Sequence, residues 1–293
     1  MTFENYFHVD VFATRPLTGN GLAVFLNTDE WTSAVMQEVI QEMRQFESVF
    51  LSDIIDSGAT ARVFTVEEEL PFAGHPVLGA AAALHRKFHP KSQSRKWTLK
   101  LLSSQIEVTT TTRGKAYLAE MDQGEIVVGA TLTRPLLQVF LQRLGLEAID
   151  LAHGLPAQVL STGLPYLVIP VRAESLSRSA ITGSDLEALL LSVGAKFVLV
   201  LDAAGREVRT WDNLGRVEDV ATGSAAGPAA AYLFAHNLAD PSVPLELAQG
   251  RFAGRPSRIK VARNCLNRLL VSGEVWPVAQ GSLELEFPIA RAS

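Results

Sequence analysis

The chain has 293 residues, a length that allows one or two domains, and its residues are 47% hydrophobic and 19% charged. That composition is typical of a globular protein with a large core. The formal net charge of −5, without any basic run, argues against binding to nucleic acid or to an anionic membrane surface. A single cysteine, Cys265, excludes an internal disulfide framework and suits a reducing compartment, so we expect a cytoplasmic protein.

The first half of the chain shows the pattern of strands with one outer helix. Thr32 or Ser33 is predicted to cap a helix that runs to about Arg44. Strands are predicted at Tyr6–Phe12, Leu22–Leu26, Phe46–Leu51, Ala61–Thr65, Trp97–Leu102, Gln105–Thr111 and Ala116–Met121. The turn at Asp122-Gln123-Gly124 is the candidate boundary, which predicts domains at 1–124 and 125–293.

The second half repeats this plan. Helices capped by Thr133 and by Ser184 are predicted. The predicted strands are Gln158–Leu160, Tyr166–Val171, Lys196–Asp202, Ser257–Ala262, Arg268–Val275 and Leu283–Phe287. The last strand, 283–287, has no counterpart in the first half, and we expect it to return to the first domain.

The segment Glu69–Leu84, ELPFAGHPVLGAAAAL, joins a Gly-His-Pro start to a helix without a polar face. Pro76 suits a first helical position, after a turn at Gly74-His75. A helix that is apolar all round must be buried all round, and its N-terminal N–H groups then need an anion or a polar partner. From this motif alone, two interpretations stay open: a binding site, or a core helix capped by His75.

A second segment of the same kind begins 149 residues later, at Glu218 instead of Glu69. Glu218–Leu233, EDVATGSAAGPAAAYL, aligns Gly223 with Gly74, and other segments align in the same order, which indicates an internal duplication. The sequence therefore predicts an α+β fold of two pseudo-symmetric domains, each a mainly antiparallel sheet closed around a central buried helix. Two helix N-termini facing one cleft would form an anion site.

Six blocks carry a resemblance to a known family: Asp10-Val11-Phe12, Gly19-Asn20, Phe46–Phe50, Arg62–Thr65, Glu69–Gly79 and Glu218–Ala225. In this order they resemble the phenazine-biosynthesis (PhzF-like) isomerase family from about residue 8 to 235, and the ELPFAGHP and ED-x-A-T-G-S-A blocks are the specific ones. The resemblance implies a fold like that of diaminopimelate epimerase, with the site between the domains. It also implies a cofactor-free isomerase, often homodimeric; the family's named activity isomerises trans-2,3-dihydro-3-hydroxyanthranilate.

Glu47 lies among apolar neighbours, and burial there would raise its pKa and let it exchange a proton near neutral pH. The alternative is an outward-facing strand position. The resemblance implies that Glu47 is the general acid/base, that His75 lines the site and helps to relay the proton, and that Asp219 is a second candidate acid. Asp219 could instead simply cap the second central helix. The resemblance also implies a substrate-binding set whose glycine and serine N–H groups hold a carboxylate: Asn20, Gly74, Gly223 and Ser224.

We expect neither a metal nor a nucleotide cofactor. His85 and His89 have the i, i+4 spacing of metal ligands, but they lie beside Arg86 and Lys87, where cations favour a helix C-terminus. The chain has no G-x-G-x-x-G and no Walker loop. Cys265 lies far from both central motifs, which indicates a structural role.

Three functions stay open at this stage. The first is an isomerase in which Glu47 removes a proton from a small carboxylated, unsaturated substrate and returns it elsewhere on the same face. The second is a two-base epimerase, and the third is a non-catalytic small-molecule-binding protein. Fold relatives that racemise resemble one another in placing a cysteine before each central-helix glycine. Here those positions are Ala73 and Thr222, which excludes thiol-based inversion and favours the isomerase.

Overall fold

The computed structural model describes residues 2–71 and 74–285. Contacts divide the chain into two compact units: unit 1 comprises the chain through Met121 and again from Gly273 onward, and unit 2 comprises Asp122–Ser272. Each is a mixed α+β unit dominated by its sheet. The sequence-based boundary after residue 124 stays a prediction about independently folding domains. No helix in the described ranges is long and apolar enough to cross a membrane.

Unit 1 contains an outer helix, a central helix and a series of strands. The helices are α1 (Ser33–Met43) and α2 (Gly74–Phe88). The strands are β1 (Thr2–Val11), β2 (Asn20–Leu26), β3 (Glu47–Ile55), β4 (Gly58–Thr65), β5 (Glu69–Leu70), β6 (Ser94–Lys100), β7 (Gln105–Arg113) and β8 (Ala116–Glu125), together with residues 273–285 of the last strand.

The strands of unit 1 form a mixed sheet around α2. Antiparallel pairs join β1 to β2, β3 to β4, β6 to β7 and β7 to β8, and β1 also pairs with the last strand. Parallel pairs join β2 to β3 and β4 to β6. The central helix contacts β1, β2, β3, β4, β6 and β7, so the sheet curves round it. Antiparallel pairing is thus the main kind in this unit, as predicted.

Burial of α2 follows from its composition. Every residue from Gly74 to His85 is buried, which confirms the prediction from the missing polar face. The predicted start is wrong by two residues, because α2 begins at Gly74 and Pro76 is its third residue. Pro76 still lies in the first turn, where a backbone N–H has no acceptor within the helix.

The outer helix α1 is capped as predicted. The Thr32 side chain accepts a hydrogen bond from the N–H of Val35 at 3.3 Å. At the other end Arg44 adopts a left-handed conformation, and its N–H bonds to the carbonyl of Ile40. Buried residues of α1 pack with an aromatic cluster on the outer face of the sheet, which includes Phe25, Phe50 and Phe64.

Unit 2 contains the second central helix, α6 (Gly223–Ala235), and three smaller helices, α3 (Arg134–Arg143), α4 (Ala173–Leu176) and α5 (Leu186–Ser192). Its strands are β9 (Val127–Thr131), β10 (Gln158–Ser161), β11 (Pro165–Val171), β12 (Phe197–Asp202), β13 (Glu207–Trp211), β14 (Glu218–Asp219), β15 (Leu245–Gln249), β16 (Ser257–Arg263) and the first residues of β17 (Arg268–Leu285).

Unit 2 uses the same order of strand pairings as unit 1. β11 and β12 are parallel, β12 and β13 are antiparallel, β13 and β15 form a short parallel contact, and β15 and β16 are antiparallel. The chain then continues antiparallel from β16 to β17. The central helix α6 contacts β10, β11, β12 and β16.

Two predicted elements of the second half are wrong. Asp185, rather than Ser184, stands at the N-cap position of α5, and it makes no capping bond because its carboxylate binds Arg143 at 2.6 and 2.8 Å. The strands predicted at Arg268–Val275 and Leu283–Phe287 are one continuous strand, β17, held by its long antiparallel pairing with β1. Phe287 lies outside the described residues.

In each unit an arginine–glutamate pair fixes the segment that leads into the central helix. Arg62 donates from Nε and Nη2 to the two oxygens of Glu69, at 2.8 and 2.6 Å. Arg209 binds Glu218 in the same two-bond geometry, at 2.9 and 2.6 Å. Such planar double contacts define an orientation as well as a distance. They join β4 to β5 and β13 to β14, immediately before α2 and α6.

We predict that Gly79→Ala lowers the free energy of unfolding, although alanine is the better helix former by about 1 kcal/mol. A Cβ at Gly79 would collide with a methyl of Leu22 and lie 3.1 Å from Val11 and 3.2 Å from Val9, all fully or nearly fully buried. Overpacking of this kind costs roughly 1–3 kcal/mol. Urea unfolding measures the effect.

The control places Gly79→Ala in a Leu22→Ala background, where the space for a methyl exists. There the glycine substitution should cost less than in the wild type, so the two changes should not be additive. A Gly79→Ala protein that is more stable than the wild type would contradict this packing account.

Candidate active site

Glu47 is the first residue of β3 and lies on the face of the sheet that carries α2. It pairs in register with Leu22 of β2, and paired residues share one face. Leu22 lies against α2 at Gly79. Glu47 is only 9% exposed. Glu47 therefore lies on the buried face of its strand and not at the outward-facing position that was the alternative.

His75, the second residue of α2, contacts Glu47. Its Nδ1 lies 3.4 Å from Oε2 of Glu47 and 3.4 Å from Nδ2 of Asn20. Burial lowers the pKa of His75 to about 3, since an imidazolium is poorly solvated there. At neutral pH the imidazole is therefore uncharged, and its approach to Glu47 at 3.4 Å is a close polar contact rather than an ion pair.

Glu47 can be ionised or protonated beside a neutral His75, and these two states differ by one proton and by the tautomer of the ring. A neutral imidazole can donate from Nδ1–H to an ionised Glu47, or its bare Nδ1 can accept from a protonated Glu47. The Asn20 atom that faces Nδ1 is the amide nitrogen Nδ2, which can only donate, so it matches the state in which Nδ1 is bare. The Nε2 atom of His75 is buried and has no hydrogen-bond partner in the described part of the chain. The roles of Glu47 as proton carrier and of His75 as relay stay predictions.

Asn20 is brought to His75 by a tight turn. Gly19 has a φ of +69°, and a Cβ there would lie 2.5 Å from the carbonyl oxygen of Val11 and 2.8 Å from Ala13. Glycine is therefore needed at this position. The turn leaves Asn20, 3% exposed, as the first residue of β2.

In unit 2, Asp219 is held by the hydroxyl of Thr222. Thr222 donates to Oδ2 of Asp219 at 2.6 Å, and the N–H of Ala221 donates to Oδ1 at 3.2 Å. Gln249 donates to the Thr222 hydroxyl at 2.9 Å, and the hydroxyl of Thr210 lies 2.6 Å away. The single proton of Thr222 is thus directed at Asp219, and both carboxylate oxygens accept hydrogen bonds.

Gln249 connects this arrangement to the backbone. Its Oε1 accepts from the N–H of Thr222 at 3.0 Å, and its Nε2 donates to the carbonyl of Asp219 at 2.7 Å. The buried side-chain amide of Gln249 therefore binds the backbone of the turn before α6 through both its oxygen and its nitrogen. Neither Gln249 nor Thr210 was found from the sequence, since they lie on other strands and belong to no motif.

Gly223 and Ser224 begin α6. Thr222, at the N-cap, makes no side-chain capping bond, and its carbonyl accepts from the N–H groups of Ala225 and Ala226. The N–H groups of the first two helical residues have no acceptor within the helix, and N–H groups at such positions can bind an anion. The Ser224 hydroxyl lies 2.7 Å from that of Tyr166, another residue that the sequence did not indicate.

The predicted site residues form two groups. Glu47, His75, Asn20 and Gly74 lie together in unit 1, and Asp219, Gly223 and Ser224 lie together in unit 2. The meeting of the two groups on one substrate stays a prediction. Ala73, one of the two positions compared with the epimerase cysteines, lies outside the described residues.

No group of three metal-ligating side chains occurs among the described residues. Both ring nitrogens of His85 contact the protein: Nδ1 lies 2.7 Å from the hydroxyl of Thr110, and Nε2 lies 3.1 Å from the carbonyl of Ser92. His89 contacts Asp56 at 3.1 Å. The two histidines therefore contact neighbouring protein groups near the end of α2.

The chain matches known proteins over nearly its whole length. The model of a family described as phenazine biosynthesis-like protein matches residues 9–281. Trans-2,3-dihydro-3-hydroxyanthranilate isomerase of Pseudomonas fluorescens is 33% identical, over 96% of this chain and 100% of its own.

Solved structures extend the comparison. A protein of Pseudomonas aeruginosa described as a "Predicted Epimerase" is 48% identical, with a TM-score of 0.90 over 97% of this chain and 100% of its own. A probable proline racemase from Agrobacterium radiobacter shares the fold at 13% identity, with a TM-score of 0.59 over 98% of this chain and 94% of its own. The fold is therefore of the epimerase-like kind.

We predict a characteristic pH dependence of stability from His75. Its pKa is about 3 in the folded chain and about 6.5 in the unfolded chain, so between these values the unfolded state binds one more proton. The contribution of His75 to the free energy of unfolding should therefore fall by about 1.4 kcal/mol for each pH unit from pH 6.5 down to about pH 3. About one pH unit above 6.5 the histidine is neutral in both states and contributes no slope.

Urea unfolding at pH 7.5, 6.5, 5.5 and 5.0 measures this slope. His75→Asn should lose less stability than the wild type between pH 6.5 and 5.0. The control, His153→Asn, removes an exposed histidine and should keep the wild-type slope. Equal slopes for His75→Asn and the wild type would contradict a neutral, buried His75.

Proposed function

The chain belongs to the phenazine biosynthesis-like protein family, and on that premise we propose that it is a cofactor-independent isomerase. It moves a proton on a small carboxylated, unsaturated substrate, with Glu47 as the single general acid/base. The observation that carries the proposal is the buried carboxyl of Glu47, 3.4 Å from Nδ1 of a buried, neutral His75. The named substrate of the relative in Pseudomonas fluorescens, trans-2,3-dihydro-3-hydroxyanthranilate, is the model for the substrate class.

The reaction is a balanced proton shift. Glu47 takes a proton from an sp³ carbon next to the double bond as that C–H bond breaks. The electron pair moves along the allylic system, and Glu47 returns the proton to the far carbon, so no oxidant or reductant takes part. A neutral His75 beside Glu47 supports both protonation states of the acid, and this is what a group that first accepts and then donates requires.

Residues of unit 2 are proposed to bind the substrate carboxylate. The first N–H groups of α6, at Gly223 and Ser224, and the Ser224 hydroxyl are donors of the kind that bind anions at helix N-termini. Asp219, whose two oxygens accept hydrogen bonds, is better suited to orient a substrate donor group than to act as an acid. Asn20 and Gly74 are proposed to complete the site from unit 1.

The similarity to a "Predicted Epimerase" raises a second candidate function, inversion by two opposed bases. Against it stands Thr222, at the position before the glycine of α6 where thiol-dependent epimerases carry a cysteine. Its hydroxyl is committed to Asp219 and is far too weak a base at neutral pH. A single acid that removes and returns the proton on one face accounts for isomerisation without inversion.

An internal duplication is part of the same proposal. It is supported by the shared order of strand pairings and by the matched pairs Arg62–Glu69 and Arg209–Glu218. A pseudo-symmetric arrangement of the two units, a cytoplasmic location and assembly as a homodimer stay predictions from the sequence and the resemblance.

We predict that Glu47→Gln abolishes exchange of solvent deuterium into trans-2,3-dihydro-3-hydroxyanthranilate and lowers turnover roughly 10²–10⁴-fold, because the amide cannot carry the proton. Mass spectrometry of the substrate and product in D₂O measures both. Two controls should keep wild-type turnover: Glu120→Gln, which neutralises another half-buried carboxyl of unit 1, and Cys265→Ser, which removes an exposed thiol.

An active Glu47→Gln protein would overturn the assignment of the base. A wild-type chain that shows no turnover, yet binds carboxylates as well as Glu47→Gln does, would favour the non-catalytic binding protein instead. Inversion at a carbon centre without movement of the double bond would favour the epimerase.

A further inference from the structure

Tyr166 has a fixed position beside the start of α6. It lies on β11, in register with Leu160 of β10 and Phe197 of β12, and only 2% of it is exposed. Its ring packs against that of Phe197, with 5.5 Å between the centroids. A tyrosine has few rotatable bonds, so a ring packed in this way also fixes the position of its hydroxyl.

That hydroxyl lies 2.7 Å from Oγ of Ser224, the second residue of α6. One proton occupies this hydrogen bond and the other hydroxyl proton is directed elsewhere. The phenol is the more acidic of the two groups, so it is the better donor and Ser224 the better acceptor. The Ser224 proton is then directed away from Tyr166. A hydroxyl that accepts one hydrogen bond also becomes a stronger donor in the next.

Ser224 is accessible where Tyr166 is not. The serine is half-buried and stands among the N–H groups at the beginning of α6, whereas only 2% of the tyrosine is exposed. A hydroxyl with this arrangement donates outward to an acceptor at the helix N-terminus. The acceptor of matching chemistry is a carboxylate.

We infer that Tyr166 is a positioning residue of the substrate-carboxylate site: it orients the Ser224 hydroxyl so that the serine donates to the substrate. The inference rests on the proposed function, because it takes Ser224 as a carboxylate-binding group. Tyr166 itself does not touch the substrate. Tyr166 precedes Ser224 by 58 positions, so it is a residue of the site that lies outside the sequence motif.

The chain offers a matched control. Tyr232 is a second fully buried tyrosine of unit 2, and its hydroxyl donates to the carbonyl of Pro156 at 2.7 Å. Tyr166→Phe and Tyr232→Phe each remove one buried hydroxyl with a hydrogen bond of the same length. A structural role alone would make both variants less stable and leave substrate affinity unchanged in both.

The test compares steady-state kinetics of the wild type, Tyr166→Phe and Tyr232→Phe with trans-2,3-dihydro-3-hydroxyanthranilate. Tyr166→Phe should raise KM about 3- to 10-fold, the range of one hydrogen bond, with kcat nearly unchanged, since a carboxylate contact is made equally in the ground and transition states. Tyr232→Phe should keep the wild-type KM. Calorimetric titration with anthranilate, an unreactive carboxylate probe, should show the same loss of affinity in Tyr166→Phe without any need for turnover.

A double variant tests whether Tyr166 affects substrate binding through Ser224. If Tyr166 acts through Ser224, Tyr166→Phe should add nothing in a Ser224→Ala background. Additive losses, or an unchanged KM and probe affinity in Tyr166→Phe while the wild type turns over substrate, would overturn this inference alone. A wild-type chain that neither turns over substrate nor binds the probe would overturn the proposed function, and this inference with it.

Discussion

The chemistry of the candidate site depends on the burial of the first turn of α2. The helix has no polar face, so the sheet of unit 1 encloses it from Gly74 to His85. An imidazolium in this environment would lose most of its hydration, and the histidine stays neutral instead. The same burial brings a carboxyl within 3.4 Å of a ring nitrogen that can accept or donate a proton. Packing of an apolar helix thus sets the protonation chemistry of the residues at its end.

The two units use the same order of strand pairings and differ at the positions to which the proposed function assigns chemistry. The arginine–glutamate pair before each central helix is present in both. At the aligned position of His75, unit 2 has Ser224, and at that of Glu47 it has Lys196, whose Nζ lies 5.4 Å from the centre of the Phe197 ring. Under the proposed function, the acid and the neutral histidine belong to unit 1, and the hydroxyl and backbone donors belong to unit 2. A reaction with one proton carrier and one bound substrate carboxylate needs these two kinds of group.

Much of the fold could be predicted from the sequence wherever the determinant is local. The Thr32 cap of α1 depends on a residue three positions away, and the burial of α2 follows from its own composition. The cap of α5 could not be predicted, because the carboxylate of Asp185 is taken by Arg143, 42 residues distant. The strand 283–285 was predicted separately from its predecessor because only its pairing with β1 shows that the two are continuous.

The same distinction holds for the site. Glu47, His75 and the glycine-led helix starts stand in motifs whose order carries the family resemblance, so they could be named in advance. Tyr166 and Gln249 could not, since each reaches its partner across strands that are far apart in the chain. Their roles come from hydrogen bonds that only the folded backbone creates.

The central claim, that His75 stays neutral beside Glu47, is tested most directly by ¹⁵N NMR of the His75 ring between pH 5 and 8. The account predicts one protonated and one bare ring nitrogen across this whole range, as in a neutral imidazole, with the signal disturbed in Glu47→Gln. A ring protonated on both nitrogens near pH 6 would contradict it.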